Sequence, residues 1–189
     1  YNIHVVSFVN LVNGKELVCF DPDLTPEEER AKGKEYYNAM RSGAEIKTGL
    51  ISTANFEDAF RTALAAGEDV IYFSLSKNIS GNYNSARLAA EELLEEYGDK
   101  RKIRLVDSLN ASLAQGILAI YATEMRDKGM DVDDAADLLE TYVGRMNGVF
   151  TVGDLKYLSH TGRIKGSVAV VGNMLKIKPI LRGNKDGYI

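Results

Sequence analysis

The sequence predicts an α/β fold: a mostly parallel sheet with flanking helices, followed by the start of a second α/β domain. Three observations lead there. Residues 69–74 (Asp-Val-Ile-Tyr-Phe-Ser) form a near-continuous apolar run and residues 103–106 a second one, as strands covered on both faces require. Helical patterns follow each run, and strands alternating with helices imply right-handed βαβ units. Hydrophobic residues make up 45% and charged residues 26% of the 189, a balance that excludes wholesale disorder. At roughly 100–200 residues per domain, the length predicts one domain, or one and a fragment of a second. The texture changes near Gly148, which divides the chain into residues 1–147 and 148–189.

Taken in order, residues 3–9 are rich in β-branched and aromatic side chains and read as a strand. Asn13-Gly14 then joins it to a second strand over residues 16–20, since Asn-Gly between two such runs is a strong hairpin signal. Thr25, Pro26 and Glu28 supply an N-cap, a first helical position and a capping box for a helix reaching Arg41. Residues 46–49 are a short extended segment. A cap at Ser52, Thr53 or Asn55 opens a helix over 56–66, with Phe56, Ala59, Phe60 and Ala63 on one face. The loop 75–82 leads from the first buried strand into a helix over about 83–97. Asp107-Ser108 ends the second and caps a helix over 109–126, and Asp131 or Asp133 caps another over 132–145. Beyond Gly148 come a strand at 149–152, a short helix at 154–159, a small-residue helix at 165–175, and a hairpin of 178–181 with 187–189 around Asn184-Lys185-Asp186. The chain opens on Tyr1 and stops inside that hairpin, so truncation is expected at both ends.

Composition also limits function. With 23 basic and 27 acidic residues the net charge is −4 and no Lys/Arg tract is present, which argues against nucleic acid as a partner. The longest apolar runs, such as 168–171, fall far short of the roughly 20 residues that cross a bilayer. One cysteine, Cys19, and two distant histidines, His4 and His160, do not make a zinc site, so no metal and no cofactor are expected. The sequons at Asn78 and Asn110 read as chance matches in a cytoplasmic protein. P-loop, dinucleotide-binding and nucleophile-elbow signatures are absent.

What remains is a set of hydroxyl-rich turns at the carboxyl ends of strands, the edge at which open α/β sheets bind ligands. The sharpest is Ser74-Leu75-Ser76-Lys77-Asn78-Ile79-Ser80-Gly81-Asn82. Hydroxyls and unpaired N–H groups at a helix N-terminus suit an anion. The plainer alternative is that Ser80 or Asn82 merely caps its helix, a role worth about 1 kcal/mol. Thr48 in Lys47-Thr48-Gly49 and Ser108 are weaker candidates, explained more simply by a local turn and a helix cap respectively. Arg163 and Lys165, between Gly162 and Gly166, fit a solvated turn or a contact with a partner or phosphate.

These residues carry a resemblance. Ser76-Lys77-Asn78-Ile79-Ser80-Gly81-Asn82-Tyr83-Asn84-Ser85-Ala86, Lys47-Thr48 with its following turn, and Val106-Asp107-Ser108 with Gln115-Gly116 resemble the motifs of the DegV family. So do Asp154-Leu155-Lys156-Tyr157-Leu158, Gly162-Arg163-Ile164 and Leu175-Lys176-Ile177-Lys178-Pro179-Ile180-Leu181. The resemblance covers nearly the whole chain. It implies two α/β domains holding one long-chain fatty acid between them, as in the binding subunit of bacterial fatty acid kinase. A separate kinase subunit would phosphorylate the bound acid to an acyl phosphate, and this chain would catalyse nothing itself. On matching positions, Thr48 and Ser80 would hold the carboxylate, with Ser76, Gly81, Asn82 and Ser108 as the supporting loop. Arg163 and Lys165 would face the kinase or the phosphate, and transient contact with a membrane surface is compatible with that role. Residues such as Ile79, Ile117, Leu118, Val170 and Met174 are candidates for the acyl wall.

Three departures from the family pattern stand out. A strand ending in Thr-Asp-Ser is expected at the start and is not present in these residues. A His-Val-Gly-Pro-Gly-like turn, whose histidine helps hold the carboxylate, is expected beyond residue 189, and neither His4 nor His160 matches it. Gly49 and Asn82 stand where Ser and Thr are common. The rival readings are a phosphatase or acyltransferase with Ser80 as nucleophile, and a regulatory module that no longer binds lipid.

Overall fold

A computed structural model describes residues 1–164 and 178–189. The expected helix at 165–175, together with Lys165, Val170, Met174 and residues 175–177 of the last family motif, lies outside the described residues.

The central pair of strands is β4 (Val70–Ser74) and β5 (Ile103–Asp107), parallel and in register from Val70 opposite Ile103 to Ser74 opposite Asp107. Their side chains alternate between two cores, because successive Cβ atoms of a strand point to opposite faces. Val70, Tyr72, Ile103 and Leu105 face helices α2 (Thr53–Ala65) and α3 (Asn82–Tyr97), where Phe56, Phe60 and Leu64 meet Ala86, Ala89 and Leu93. Ile71, Phe73 and Val106 face α4 (Leu113–Asp127) and α5 (Val132–Val143), anchored by Leu118 and Leu139. This double coverage accounts for the unbroken apolar run of β4. Tyr72 lies against Phe56 and Phe60, and burial pushes its phenol up to about 12. The amino end of α5 is clamped to β5 through Lys102 on Asp131 and Asp133, and Arg104 on Asp133 and Asp137. Asp131 is its N-cap, resolving the expected choice of two.

The amino-terminal region is antiparallel. Strands β1 (Val9–Val12), β2 (Lys15–Val18) and β3 (Ile46–Thr48) lie in the order β2-β1-β3. Asn13 and Gly14 both have positive φ, 50° and 78°, the geometry of a two-residue hairpin turn. That turn sets the register, closing on Val12 opposite Lys15. The first strand therefore begins at Val9, at the end of the stretch its composition marks; residues 3–8 lie outside it, although the Phe8 carbonyl still accepts from the Cys19 N–H at 3.3 Å, and Val6 and Phe8 pack on the α2–α3 core. Helix α1 (Pro26–Arg41) has the expected capping box from Thr25 and Glu28. Parallel pairing is thus confined, among the described residues, to β4 and β5.

After α5 the chain forms β6 (Val149–Thr151), the short helix α6 (Lys156–His160) and β7 (Ile180–Arg182). The expected terminal hairpin is replaced by an antiparallel pairing of β7 with β6, Phe150 opposite Leu181. Asn184 does turn the chain, its side-chain carbonyl accepting from Asp186 and Tyr188, but residues 187–189 form no strand.

Candidate functional site

Equal register brings the ends of β4 and β5 level, so the two strand-to-helix turns that follow them lie side by side. Three fully buried hydroxyls line this edge. Ser74 donates to the Leu75 carbonyl, Ser76 accepts from the Asn78 N–H, and Ser108 donates to the Asn110 carbonyl while accepting from the Asn110 N–H. Their polarity is used on the turns themselves, as buried polar groups require. Asp107 links the two turns: Oδ1 accepts from the backbone of Lys77 at 3.3 Å and of Leu109 at 3.1 Å. Its Oδ2 is buried without a hydrogen bond among the described residues, and the Lys77 ammonium stands 3.8 Å from it, an ion-pair distance too long for a hydrogen bond.

The first turn, residues 76–82, is wound by local bonds. The Ser76 carbonyl accepts from Ile79 and Ser80, both at 3.0 Å, and α3 begins directly after Gly81. Ser80 is half-buried; its Oγ accepts from the Asn82 N–H at 3.3 Å, while its own proton has no acceptor among the described residues. The cap-like contact anticipated for Ser80 is therefore present and leaves the hydroxyl able to donate. Asn82 is buried, and its Oδ1 accepts from Ile51 at 3.2 Å. Leu50 lies over Gly81, where an added Cβ would meet its Cδ1 at 3.1 Å. These two contacts bring the segment that follows Thr48 onto the Ser80 turn. Thr48 itself is exposed at the end of β3, with no side-chain hydrogen bond among the described residues.

Arg163 arrives from the far part of the chain. Its Nε donates to the Ile79 carbonyl at 3.0 Å and its Nη1 to the Thr161 carbonyl at 2.6 Å. Asn78 makes a second such tie, donating to the Asp186 carbonyl at 2.7 Å. The structure thus gathers Ser76, Ser80, Gly81, Asn82, Ser108 and Arg163 at one edge and brings the Thr48 segment up to it.

The helix expected at residue 109 begins at Leu113 instead, so Ser108 is not its cap. Leu109 and Ser112 both take positive φ, 49° and 54°, which interrupts the helical path for one further turn of chain. Sequence reasoning missed three residues. Asn110 had only a glycosylation pattern to mark it, and Asn78, although inside the candidate turn, was not singled out for a role. Asn10 sits directly opposite Thr48 and is buried, donating to the Cys19 sulfur while its Oδ1 has no partner among the described residues. Burial pushes the Cys19 thiol up. A cleft of about 490 Å³ opens on the other side of Asn110, bordered by Leu109, Val143, Met146, Arg182 and Lys185. Among the described residues no group of His, Cys, Asp and Glu could hold a metal, and no helix is long and apolar enough to cross a membrane.

A family model described as "Uncharacterised protein, DegV family" matches residues 3–189. The chain belongs to the DegV family. A DegV domain-containing protein of Clostridium perfringens is 35% identical over 180 residues, covering 95% of this chain and 59% of its own length. A DegV family protein of Thermus thermophilus, whose structure is described as one of fatty acid binding, is 28% identical with a TM-score of 0.77, over 97% of this chain and 60% of that one. The Streptococcus pneumoniae fatty acid kinase B3 protein, solved loaded with linoleic acid, has a TM-score of 0.81 at 22% identity, over 97% and 61%; that likeness is one of fold. This chain spans about three-fifths of the length of these DegV relatives.

Proposed function

We propose that this DegV chain binds a long-chain fatty acid and holds its carboxylate at the turn of residues 76–82, with Ser80 and Thr48 as hydroxyl donors. The observation that carries this reading is the convergence on that turn: the segment following Thr48 is fastened to Asn82 and Gly81, and the Ser80 proton is not consumed by its own helix. Fatty acid in the related Thermus thermophilus protein supports the ligand class. Hydrogen bonds to an ionised acceptor are worth about 1.5–3 kcal/mol each, and about 0.8 kcal/mol per buried methylene would come from the acyl chain. Ser76, Ser108 and Asn82 are buried and support the turn from beneath, Ser76 and Asn82 accepting from the Asn78 and Ile51 N–H groups and Ser108 bonding Asn110 in both directions. On the acyl wall, Ile79 is half-buried and Ile117 exposed beside Leu113, whereas Leu118 is fully buried in the α4–α5 core.

In this reading residues 1–147 form the first domain and 148–189 the beginning of the second, and the cytoplasmic protein offers its bound acid to a fatty acid kinase subunit, which makes the acyl phosphate. Arg163 orders the Ile79–Ser80 backbone and with Lys165 marks the side the kinase would meet. The fold likeness to the pneumococcal kinase B3 protein supports that partner. The enzyme alternative needs a base bonded to the Ser80 hydroxyl; the contact Ser80 Oγ makes among the described residues is with a donor, the Asn82 N–H.

Mass spectrometry of an organic extract tests the proposal, comparing the purified full-length protein with a Thr48→Ala, Ser80→Ala double variant. Near-stoichiometric C14–C18 fatty acid in the wild type and depletion in the variant is the expected result. Equal lipid in both would remove the two hydroxyls from the site, and no lipid in either after incubation with fatty acid would end the binding reading.

A further inference from the structure

We propose that Asn110 is a positioning residue: it registers the turn of residues 76–82 against the chain crossover at residues 146–148, so that affinity for a carboxylate depends on a side chain that does not touch it. The inference rests on the fatty acid reading above.

Every polar atom of Asn110 is engaged. Its carbonyl accepts from the Ser76 N–H at 2.9 Å, which fixes the start of the candidate turn. Its amide nitrogen Nδ2 donates to the Ser108 carbonyl at 3.1 Å and the Met146 carbonyl at 3.2 Å, and Oδ1 accepts from the Gly148 N–H at 3.1 Å. The side-chain amide therefore joins the turn after β5 to the exit from α5 towards β6, and the backbone carbonyl of the same residue carries that fixed position to the turn after β4. An added Cβ on Gly148 would stand 2.9 Å from Asn110 Oδ1, so the backbone there approaches as closely as a glycine permits.

The flanking conformation shows that this arrangement is imposed. Leu109 at φ 49° and Ser112 at φ 54° are both in a region that L-residues occupy at a cost. Such geometry persists only where the surroundings over-determine it. The opposing wall is the turn at Gly187, where an added Cβ would lie 2.2 Å from Ser76 Oγ and 3.2 Å from Leu109 Cα. Ser76 is thus held between Asn110 and Gly187, and Ser80, whose N–H donates to the Ser76 carbonyl, inherits its position from that grip. Aspartate is the same size but cannot donate, so it would set a carboxylate against two carbonyl oxygens.

The test is palmitate titration combined with hydrogen exchange on the full-length protein and its Asn110→Ala and Asn110→Asp variants. At neutral pH palmitate affinity should fall about tenfold or more, the scale of one lost charge-assisted contact. Amides of residues 76–82 should exchange faster while the β4–β5 ladder keeps its protection. The deficit of Asn110→Asp relative to wild type should shrink as pH falls, because a protonated carboxyl regains one donor, whereas that of Asn110→Ala should not. Unchanged affinity in both variants, or a β4–β5 ladder that loosens as much as the turn, overturns the proposal. If wild-type protein binds no palmitate, the fatty acid reading fails, and exchange alone decides: faster exchange confined to residues 76–82 keeps Asn110 as the register of the turn, and its absence removes it.

Discussion

The turns after β4 and β5 hold equivalent places at the ends of two level parallel strands, yet they are built in opposite ways. The first is wound by bonds within seven residues, has ordinary φ at every described non-glycine position, and passes straight into α3. The second carries two positive-φ residues and is held by Asn110 bonds that reach residues 146 and 148. The first turn supplies its own winding, but bonds from Asn110, Asp107 and Arg163 fix where it sits. The second supplies little regular winding and is placed by the chain exit at residues 146–148. The pair therefore combines a regularly wound loop that presents Ser80 with a strained loop that sets its position, and Asp107 joins them.

The largest change should come from the layer beneath the second turn. Leu118→Ala empties a fully buried site at the centre of the α4–α5 core and should cost about 2–5 kcal/mol in denaturant unfolding. Beneath the first turn, Asn82→Ala leaves the Ile51 N–H without its partner and should cost about 1–3 kcal/mol. It should also release the Thr48 segment, read as faster exchange at Ile51. The sharpest contrast lies in reciprocal glycine changes. Ser112→Gly relieves an exposed residue at φ 54°, ψ −122° and should raise stability by about 1 kcal/mol. Gly81→Ala occupies an ordinary φ of −75° and meets the end of the flexible, exposed Leu50, so it should stay within about 0.5 kcal/mol of wild type. If Ser112→Gly destabilises, the two turns do not differ as described.

The smallest effect is electrostatic and remote from both turns. The Asp133 N–H and then Lys102 hold the Asp131 carboxyl below its ordinary value of 3.8, and Lys102 and then Arg104 do the same for Asp133. A depressed folded-state pKa adds stability above the ordinary value, and that stability is lost as pH falls through the folded value. Thermal melts should therefore show Asp133→Asn losing less stability than wild type on acidification below pH 3.8, with no change in exchange at either turn.

The same contrast explains what could be read in the sequence. Helix α1 was legible because Thr25, Pro26 and Glu28 act within four residues, and β4 because its apolar run encodes burial on both faces. The hairpin turn was legible too, yet the strand before it was displaced: composition marked residues 3–9, while the ladder follows from the turn geometry at Asn13-Gly14. In the site, Ser80 and its neighbours stood out because a strand-to-helix turn rich in hydroxyls is a local pattern. Asn110 did not, since its four connections run to Ser76, Ser108, Met146 and Gly148 and leave no periodic trace. The pairing of β7 with β6 was hidden for the same reason: a turn at Asn184 looks like a hairpin whichever strand lies across from residues 180–182.

Carbon-13 NMR of carboxyl-labelled palmitate bound to the full-length protein, wild type beside Ser80→Ala, reads the carboxylate at the Ser80 hydroxyl itself. One bound carboxyl resonance is expected, distinct from that of palmitate in vesicles and shifted or lost in Ser80→Ala. A bound resonance identical in the two proteins would place the carboxylate away from Ser80.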